Sequence, residues 1–356
     1  MCIRDRPKHA TSFEHDVWVS SIDVLSSANF KSNQPLVLSG SYDGLVRVWN
    51  TSSQTIASSL YLGDLRYVAA TKAAKFVSST RIASGGMDRT IRLWKFTEPT
   101  STVETSSASI KHEADLHHHK QMVLGLAVSS DQQLLSASAD HTLALWNTNL
   151  STAPVYTTDS TTTSAPAAKK QKKHSSSPAQ IAPVSVLQAH THHVTGAIFS
   201  PHNPDQAYSI SSDNTLKSWS LPTTSVTDNR PLQDPLYSIT SLTNMHLLAV
   251  GSSKGDISLI DPRTSTATVK ISTIRQAHAS GFVSCLAADP NSQHRFASGG
   301  FDGAVKVWDV RSLTGAAMAI DRKSDGGKGG KVFAIGWDAE VGILSAGEDG
   351  RVRIDR

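Results

Sequence analysis

Short runs of alternating apolar and polar residues, cut by tight turns, fill most of this 356-residue chain. In SGSYDGLVRVW, Val46 and Val48 share one side and Arg47 takes the other, a period of two that predicts a strand. The Asp43–Gly44 pair before it predicts a hairpin turn back to an earlier strand. The same unit recurs, written as Ser, three residues, Asp, five residues, Trp. Its full copies are Ser39, Asp43, Trp49; Ser84, Asp88, Trp94; Ser136, Asp140, Trp146; Ser209, Asp213, Trp219; and Ser298, Asp302, Trp308. A further copy keeps Ser345 and Asp349 but has Asp355 in the Trp place, and another reads Val250, Lys254, Ile260.

The anchors fall at 43, 88, 140, 213, 254, 302 and 349, spaced by 45, 52, 73, 41, 48 and 47 residues, most of them near a blade length of ~40–45 residues with extra length in loops. The spacing and spelling resemble the WD40 family. That resemblance implies an all-β fold: a seven-bladed WD40 β-propeller with four antiparallel strands per blade. The unit around Lys254 is expected to be a weakened blade, since its flanks still alternate, with six blades as the fallback. The resemblance also implies that the N-terminal stretch supplies the last blade's outer strand, here His9 to Glu14, sealing the ring and leaving no free sheet edge. A single propeller is therefore expected over 9–356, and residues 1–8 (MCIRDRPK) as a non-native or disordered start.

Ser, Asp and His in one unit invite a catalytic reading. Resemblance to WD repeats implies instead a buried network in each blade, joining Ser, Asp and Trp to a preceding His. His15, His190 and His278 are the candidates, about 20–30 residues ahead of their Asp. A catalytic triad occurs once, whereas this set repeats. No nucleophile elbow, metal signature or cofactor loop is present, so neither enzyme activity nor a cofactor is expected. The glycine-rich 325–331 segment lacks the phosphate-loop pattern and precedes a strand, not a helix. The histidines at 117–119 and at 190, 192 and 193 lack Cys or carboxylate partners at ligand spacing and are expected to be loop residues.

Composition narrows the setting. Hydrophobic residues make up 38% and charged residues 18%, and no apolar run approaches a membrane span. Cys2 and Cys285 cannot build a disulfide framework, which favours a reducing compartment. The net charge is only +4, too small to decide for or against RNA. A Ser/Thr/Ala/Pro-rich insertion at about 149–183 is expected to be disordered and to lie on the bottom face. Within it Lys169, Lys170, Lys172 and Lys173 read either as a solvated charge run or as a nuclear-import signal. On the opposite face, Trp18, Tyr42, Met87, Phe282 and Phe301 are expected to point outward as partner-binding residues.

The segments FEHDVWVSSIDVLS and GGMDRTIRLW, the basic insertion and the closing SAGEDGRVRI are similar to one family in particular. This is the eukaryotic WD-repeat ribosome-biogenesis factor of the pescadillo and block-of-proliferation (PeBoW) complex. Membership implies a scaffold role in large-subunit rRNA precursor processing and pre-60S assembly, in the nucleus, nucleolus and nucleoplasm. It implies propeller-to-propeller docking on the block-of-proliferation protein, with pescadillo and the pre-60S particle as further partners. Family members carry an N-terminal ubiquitin-like domain that engages midasin; that contact is expected only where the domain is present. Two other readings stay open: a Notchless-like pre-60S factor, and a substrate receptor of a cullin ubiquitin ligase.

Overall fold

The fold is seen in a computed structural model describing residues 11–26, 35–51, 56–61, 70–97, 109–155, 178–264, 271–279, 281–322 and 330–355. It is a seven-bladed propeller of sequentially paired antiparallel strands, with no α-helix among the described residues. The blades span 19–61, 71–116, 123–188, 194–231, 236–274, 283–321 and, for the seventh, 332–355 with the N-terminal strand. The weak unit around Lys254 is a full blade, with strands Leu236–Leu242, Leu247–Ser252, Ile257–Ile260 and Ser272–Ile274. The first strands of neighbouring blades touch all the way round, ending with Val332–Asp338 against Val19–Leu25.

The core is correspondingly divided into seven wedges, each shared by two adjacent blades. Between the last blade and the first, Val19, Ile22, Val37 and Trp49 pack on Leu344, Ala346, Val352 and Ile354. Each wedge is too small to hold a sheet alone, so a blade is stable only with neighbours on both sides. The hairpin turns are equally regular. The residue after each anchor has positive φ: Gly44 81°, Arg89 69°, His141 73°, Asn214 67°, Gly255 86°, Gly303 77° and Gly350 73°. Gly and Asn suit this left-handed turn, which is why Asp-Gly and Asp-Asn mark it.

The ring closes by the N-terminal strand, Thr11–Glu14, within the expected 9–14, of which residues 9 and 10 lie outside the described residues. It pairs antiparallel to the third strand of blade 7, with Thr11 opposite Ile354 and Glu14 opposite Arg351. A Glu14–Arg351 ion pair at 3.0 Å and a hydrogen bond from Arg47 Nη1 to the Glu14 carbonyl at 2.8 Å tie it down.

The insertion departs from expectation at both ends. Asn149 to Val155 form an ordered turn, and Ala179–Ile181 form a strand parallel to the outer strand of blade 2, Ser109–Leu116. That gives blade 2 a fifth strand, so the C-terminal end of the insertion lies along the outer edge of that blade, while residues 156–177 lie outside the described residues. Ile181 is the reason: its side chain is 3% exposed in the wedge between blades 2 and 3, an anchor that Ser/Thr-rich composition conceals. The lysines at 169, 170, 172 and 173, like the start at 1–8, lie outside the described residues.

Removing residues 1–14 should leave the edge of blade 7 open and lower the melting temperature of the whole ring in a single transition. A circular-dichroism melt matching that of the intact chain would contradict closure by this strand.

Candidate partner-binding face

Four blades carry the same buried relay. In blade 4, Trp219 Nε1–H donates to Ser209 Oγ at 2.7 Å; Ser209 Oγ lies 2.7 Å from His190 Nε2; His190 Nδ1 lies 2.8 Å from Asp213 Oδ2. Blade 1 repeats it with Trp49, Ser39, His15 and Asp43, and blade 6 with Trp308, Ser298, His278 and Asp302. The fourth relay, in blade 3, uses His119, 3.0 Å from Asp140 and 2.7 Å from Ser136, with Trp146 donating to that Ser at 2.9 Å. His119 was hidden in a run of three histidines, yet its distance to Asp140 matches that of the other relays. Blade 2 keeps the Trp94-to-Ser84 bond at 2.8 Å, while Asp88 pairs with Arg92 and Trp94 lies against His112.

Each relay has the connectivity of a hydrolytic triad but not its accessibility. Ser39, Ser136, Ser209 and Ser298 are fully buried. Each hydroxyl oxygen accepts from a Trp N–H and lies within hydrogen-bond distance of the His ring, so no substrate can reach it. What the relay does is hold the His loop to the Asp turn at one face of the blade. Burial lowers His190, only partly offset by Asp213, so the ring folds neutral. Burial alone would raise Asp213, but hydrogen bonds from Thr215, His190 and the Thr191 N–H outweigh it and hold the carboxyl at about 2.

On the face that these loops build, six rings form a continuous arc around the channel mouth. Tyr42 meets Trp18 at 5.9 Å between centroids, Trp18 meets Phe333 at 5.6 Å, and Phe333 meets Phe301 at 5.7 Å. Phe301 stacks on Phe282 at 4.8 Å, and Phe282 meets Tyr237 at 4.9 Å. The arc crosses blades 1, 7, 6 and 5 and lines a cavity of about 700 Å³. Trp18 is 43% exposed, so a large apolar group forgoes much of the stabilisation that full burial would give it. Two cations border the arc: Lys331 Nζ is 5.4 Å from the Phe301 ring and Lys72 Nζ is 5.8 Å from the Tyr42 ring. Of the five outward residues expected from sequence, four meet here. Met87, 52% exposed on blade 2, stands apart from the arc.

Phe333 and Tyr237 were missed because of a bulge. The pairing register of every first strand slips across its second residue, at Ser20, Lys72, Leu124, Thr195, Tyr237, Ser284 and Phe333. A bulge re-aims one side chain against the pleat, and all seven of these residues line the channel. Ser20, Thr195 and Ser284 use the position to donate to a carbonyl of the next blade, at Thr71, Leu236 and Val332. The other four bring a lysine, a leucine and two aromatic rings to the channel wall.

A family model described as WD domain, G-beta repeat matches residues 7–50, 72–95, 110–147, 181–220 and 269–309. The ribosome biogenesis protein ytm1 of Emericella nidulans is 42% identical over 380 aligned residues, covering 98% of this chain and 77% of that protein. Those of Aspergillus terreus and Aspergillus niger are each 40% identical over 381 aligned residues, covering 98% of this chain and 78% and 77% of the relatives. The chain belongs to the ytm1 family of WD-repeat proteins.

The repeat model passes over most of blades 5 and 7, and the structure explains both gaps. In the relay blades 1 and 6 the His backbone N–H bonds to the turn of the preceding blade, as His278 N does to the Gly255 carbonyl at 3.2 Å. Leu232 makes that bond in blade 5, to Asn214 at 2.7 Å, and Arg322 makes it in blade 7, to Gly303 at 2.9 Å. Blade 5 thus replaces His, Ser and Trp together with Leu232, Val250 and Ile260, which join one apolar cluster. Lys254, in the Asp place, pairs with Asp234 at 2.8 Å. Replacing all polar partners at once leaves none orphaned.

Blade 7 makes the opposite change. Arg322, its side chain 1% exposed, donates from Nη2 to Asp349 Oδ1 and to the Arg351 carbonyl, both at 2.7 Å. Burial lowers Arg322, opposed by Asp349; burial likewise raises Asp355, opposed by Arg322 and Arg353. Arg stands in the His place where Asp stands in the Trp place, so the charges compensate within one site.

The relay gives folding a defined pH dependence. His190 is depressed on folding and Asp213 is depressed to about 2, so the unfolded chain binds more protons than the ring does in both ranges. Stability should therefore fall as pH drops below about 6.5 and again below about 4; a melting temperature flat from about pH 7 to about pH 4 would contradict a neutral His relay. In blade 7, Arg322→Met should cost about 1.5–3 kcal/mol by removing the charge-assisted hydrogen bond to Asp349, which keeps its contact with Arg353. Combining Arg322→His with Asp355→Trp should recover most of that loss in urea unfolding, since it rebuilds the relay with Ser345 and Asp349.

Proposed function

We propose that this chain is a non-catalytic scaffold in ribosome biogenesis, acting in large-subunit rRNA processing and pre-60S assembly. The observation that carries this reading is similarity across 98% of the chain to proteins named for ribosome biogenesis. In this reading the aromatic arc docks on the propeller of the block-of-proliferation protein, within a nucleolar complex that includes pescadillo. The arc has the make-up of a docking site, since aromatic groups clustered and ringed by polar residues are where binding energy concentrates. The compartments are nucleus, nucleolus and nucleoplasm, with the lysines at 169, 170, 172 and 173 as import signal. Midasin joins only through an N-terminal ubiquitin-like domain. A scaffold of this kind needs no cofactor, membrane or small-molecule substrate.

Affinity purification of the tagged chain should recover the block-of-proliferation protein, pescadillo and pre-60S proteins; recovery of a cullin ligase adaptor in their place would overturn the reading. Trp18→Ala or Phe301→Ala should each weaken docking by about 2 kcal/mol or more, roughly 30-fold in Kd. Met87→Ala, off the arc, should change Kd much less. Titration calorimetry with the partner's propeller separates these outcomes.

A further inference from the structure

The loop-bearing face is divided into two chemistries. Over blades 5, 6, 7 and 1 it carries the aromatic arc, whereas over blades 3 and 4 the equivalent loops carry imidazoles. His141 stands 5.6 Å from His193 and 6.3 Å from His192, centroid to centroid. His118 lies 5.5 Å from His119, and the exposed Lys120 follows. His192 and His193 are exposed and His118 and His141 half-buried. His141 also holds the left-handed turn position that four other blades give to glycine.

The carboxylates of this sector are already engaged. Asp140 accepts from His119, Thr142 and the Lys120 N–H. Asp213 accepts from His190, Thr215 and the Thr191 N–H. Among the described residues, the outward imidazoles have no carboxylate in contact: His193 Nδ1 donates to the Ala139 carbonyl at 2.6 Å, and His192 Nδ1 lies 3.1 Å from Thr191 Oγ1. His118 is lowered first by burial and then by His119, with Asp140 opposing and Lys120 adding to the effect. These rings do not form a metal site: among the described residues no group of three or more His, Cys, Asp and Glu is placed to hold an ion. A surface rich in imidazoles and short of free anions gains most by meeting carboxylates supplied from outside.

We propose that this histidine sector receives an acidic patch on the same partner protein whose apolar patch covers the aromatic arc, so that docking tightens as pH falls through the histidine range. This rests on the docking face proposed above and adds the partner's charge and a proton linkage to it. A carboxylate brought against His141, His192 or His118 raises that ring's proton affinity, so binding takes up protons. Affinity then rises with falling pH and the gain is lost above the histidine range.

The test uses the full chain and the block-of-proliferation propeller, with Kd measured at about pH 8 and about pH 6. Kd should be about tenfold tighter at the lower pH, the linkage expected of about half a proton taken up per complex on average over those two pH units. Calorimetry in two buffers of different ionisation enthalpy should show that uptake directly in the unmodified chain. His141→Asn combined with His192→Gln should flatten the pH dependence, whereas Trp18→Ala should weaken binding at both pH values and keep it. Binding without pH dependence or proton uptake, or a double variant that keeps the full dependence, overturns this inference and leaves the docking reading in place. Absence of binding at both pH values removes the docking reading and this inference with it.

Discussion

The pairing of Thr11–Glu14 with the third strand of blade 7 is the contact on which the rest of the ring depends. Seven sheets, each holding half of two apolar wedges, are stable only if the last meets the first. Four backbone pairings and an ion pair are a small contact, but without them blade 7 would present an unpaired edge. The cost of an open edge falls on the whole ring, because no wedge has a second place to be buried.

Given closure, each blade must also tie its loop to its turn, and the chain shows four solutions at one site. Four blades use Trp, Ser, His and Asp in a hydrogen-bonded relay, and blade 2 keeps only its Trp94–Ser84 bond, with Asp88 paired to Arg92. Blade 5 uses Leu232, Val250 and Ile260, exchanging hydrogen bonds for contact. Blade 7 uses Arg322 with Asp349 and Asp355 nearby, exchanging an imidazole for a guanidinium. The relay and the apolar exchange meet the requirement that a buried polar group be matched or absent, whereas blade 7 leaves Arg322 Nε and Nη1, Ser345 Oγ and Asp355 Oδ2 buried without a hydrogen-bond partner. The constraint acts on the set and not on any one residue, which is why blades 5 and 7 change several members together.

That constraint also decides how much of the molecule is legible in the chain. The Ser–Asp–Trp anchors announce five blades, and Ser345 with Asp349 a sixth, because those residues cannot be varied singly. Blade 5 is legible only through its alternation and turn at Gly255. The docking face is half legible: Trp18, Tyr42, Phe282 and Phe301 sit next to readable anchors, while Phe333 and Tyr237 sit on bulges that break the period of two. Ala179–Ile181 escapes because one buried Ile does not alter the composition of a long Ser/Thr-rich stretch. Arg322 escapes because nothing local marks an arginine as standing in a histidine's place; only the bond to Gly303 reveals it.

The bulge has a consequence for how such a ring can change over time. Around the channel its positions read Ser20, Lys72, Leu124, Thr195, Tyr237, Ser284 and Phe333, a circular word of seven letters. Three of the letters, Ser20, Thr195 and Ser284, are spoken for, since each clips its blade to the next. The remaining four belong to neither wedge nor relay, because the bulge turns them toward the axis. They can be rewritten without repacking the blade that carries them. The axis of the propeller is thus largely separable from its architecture, and selection can respell what the channel mouth recognises while the scaffold stays the same.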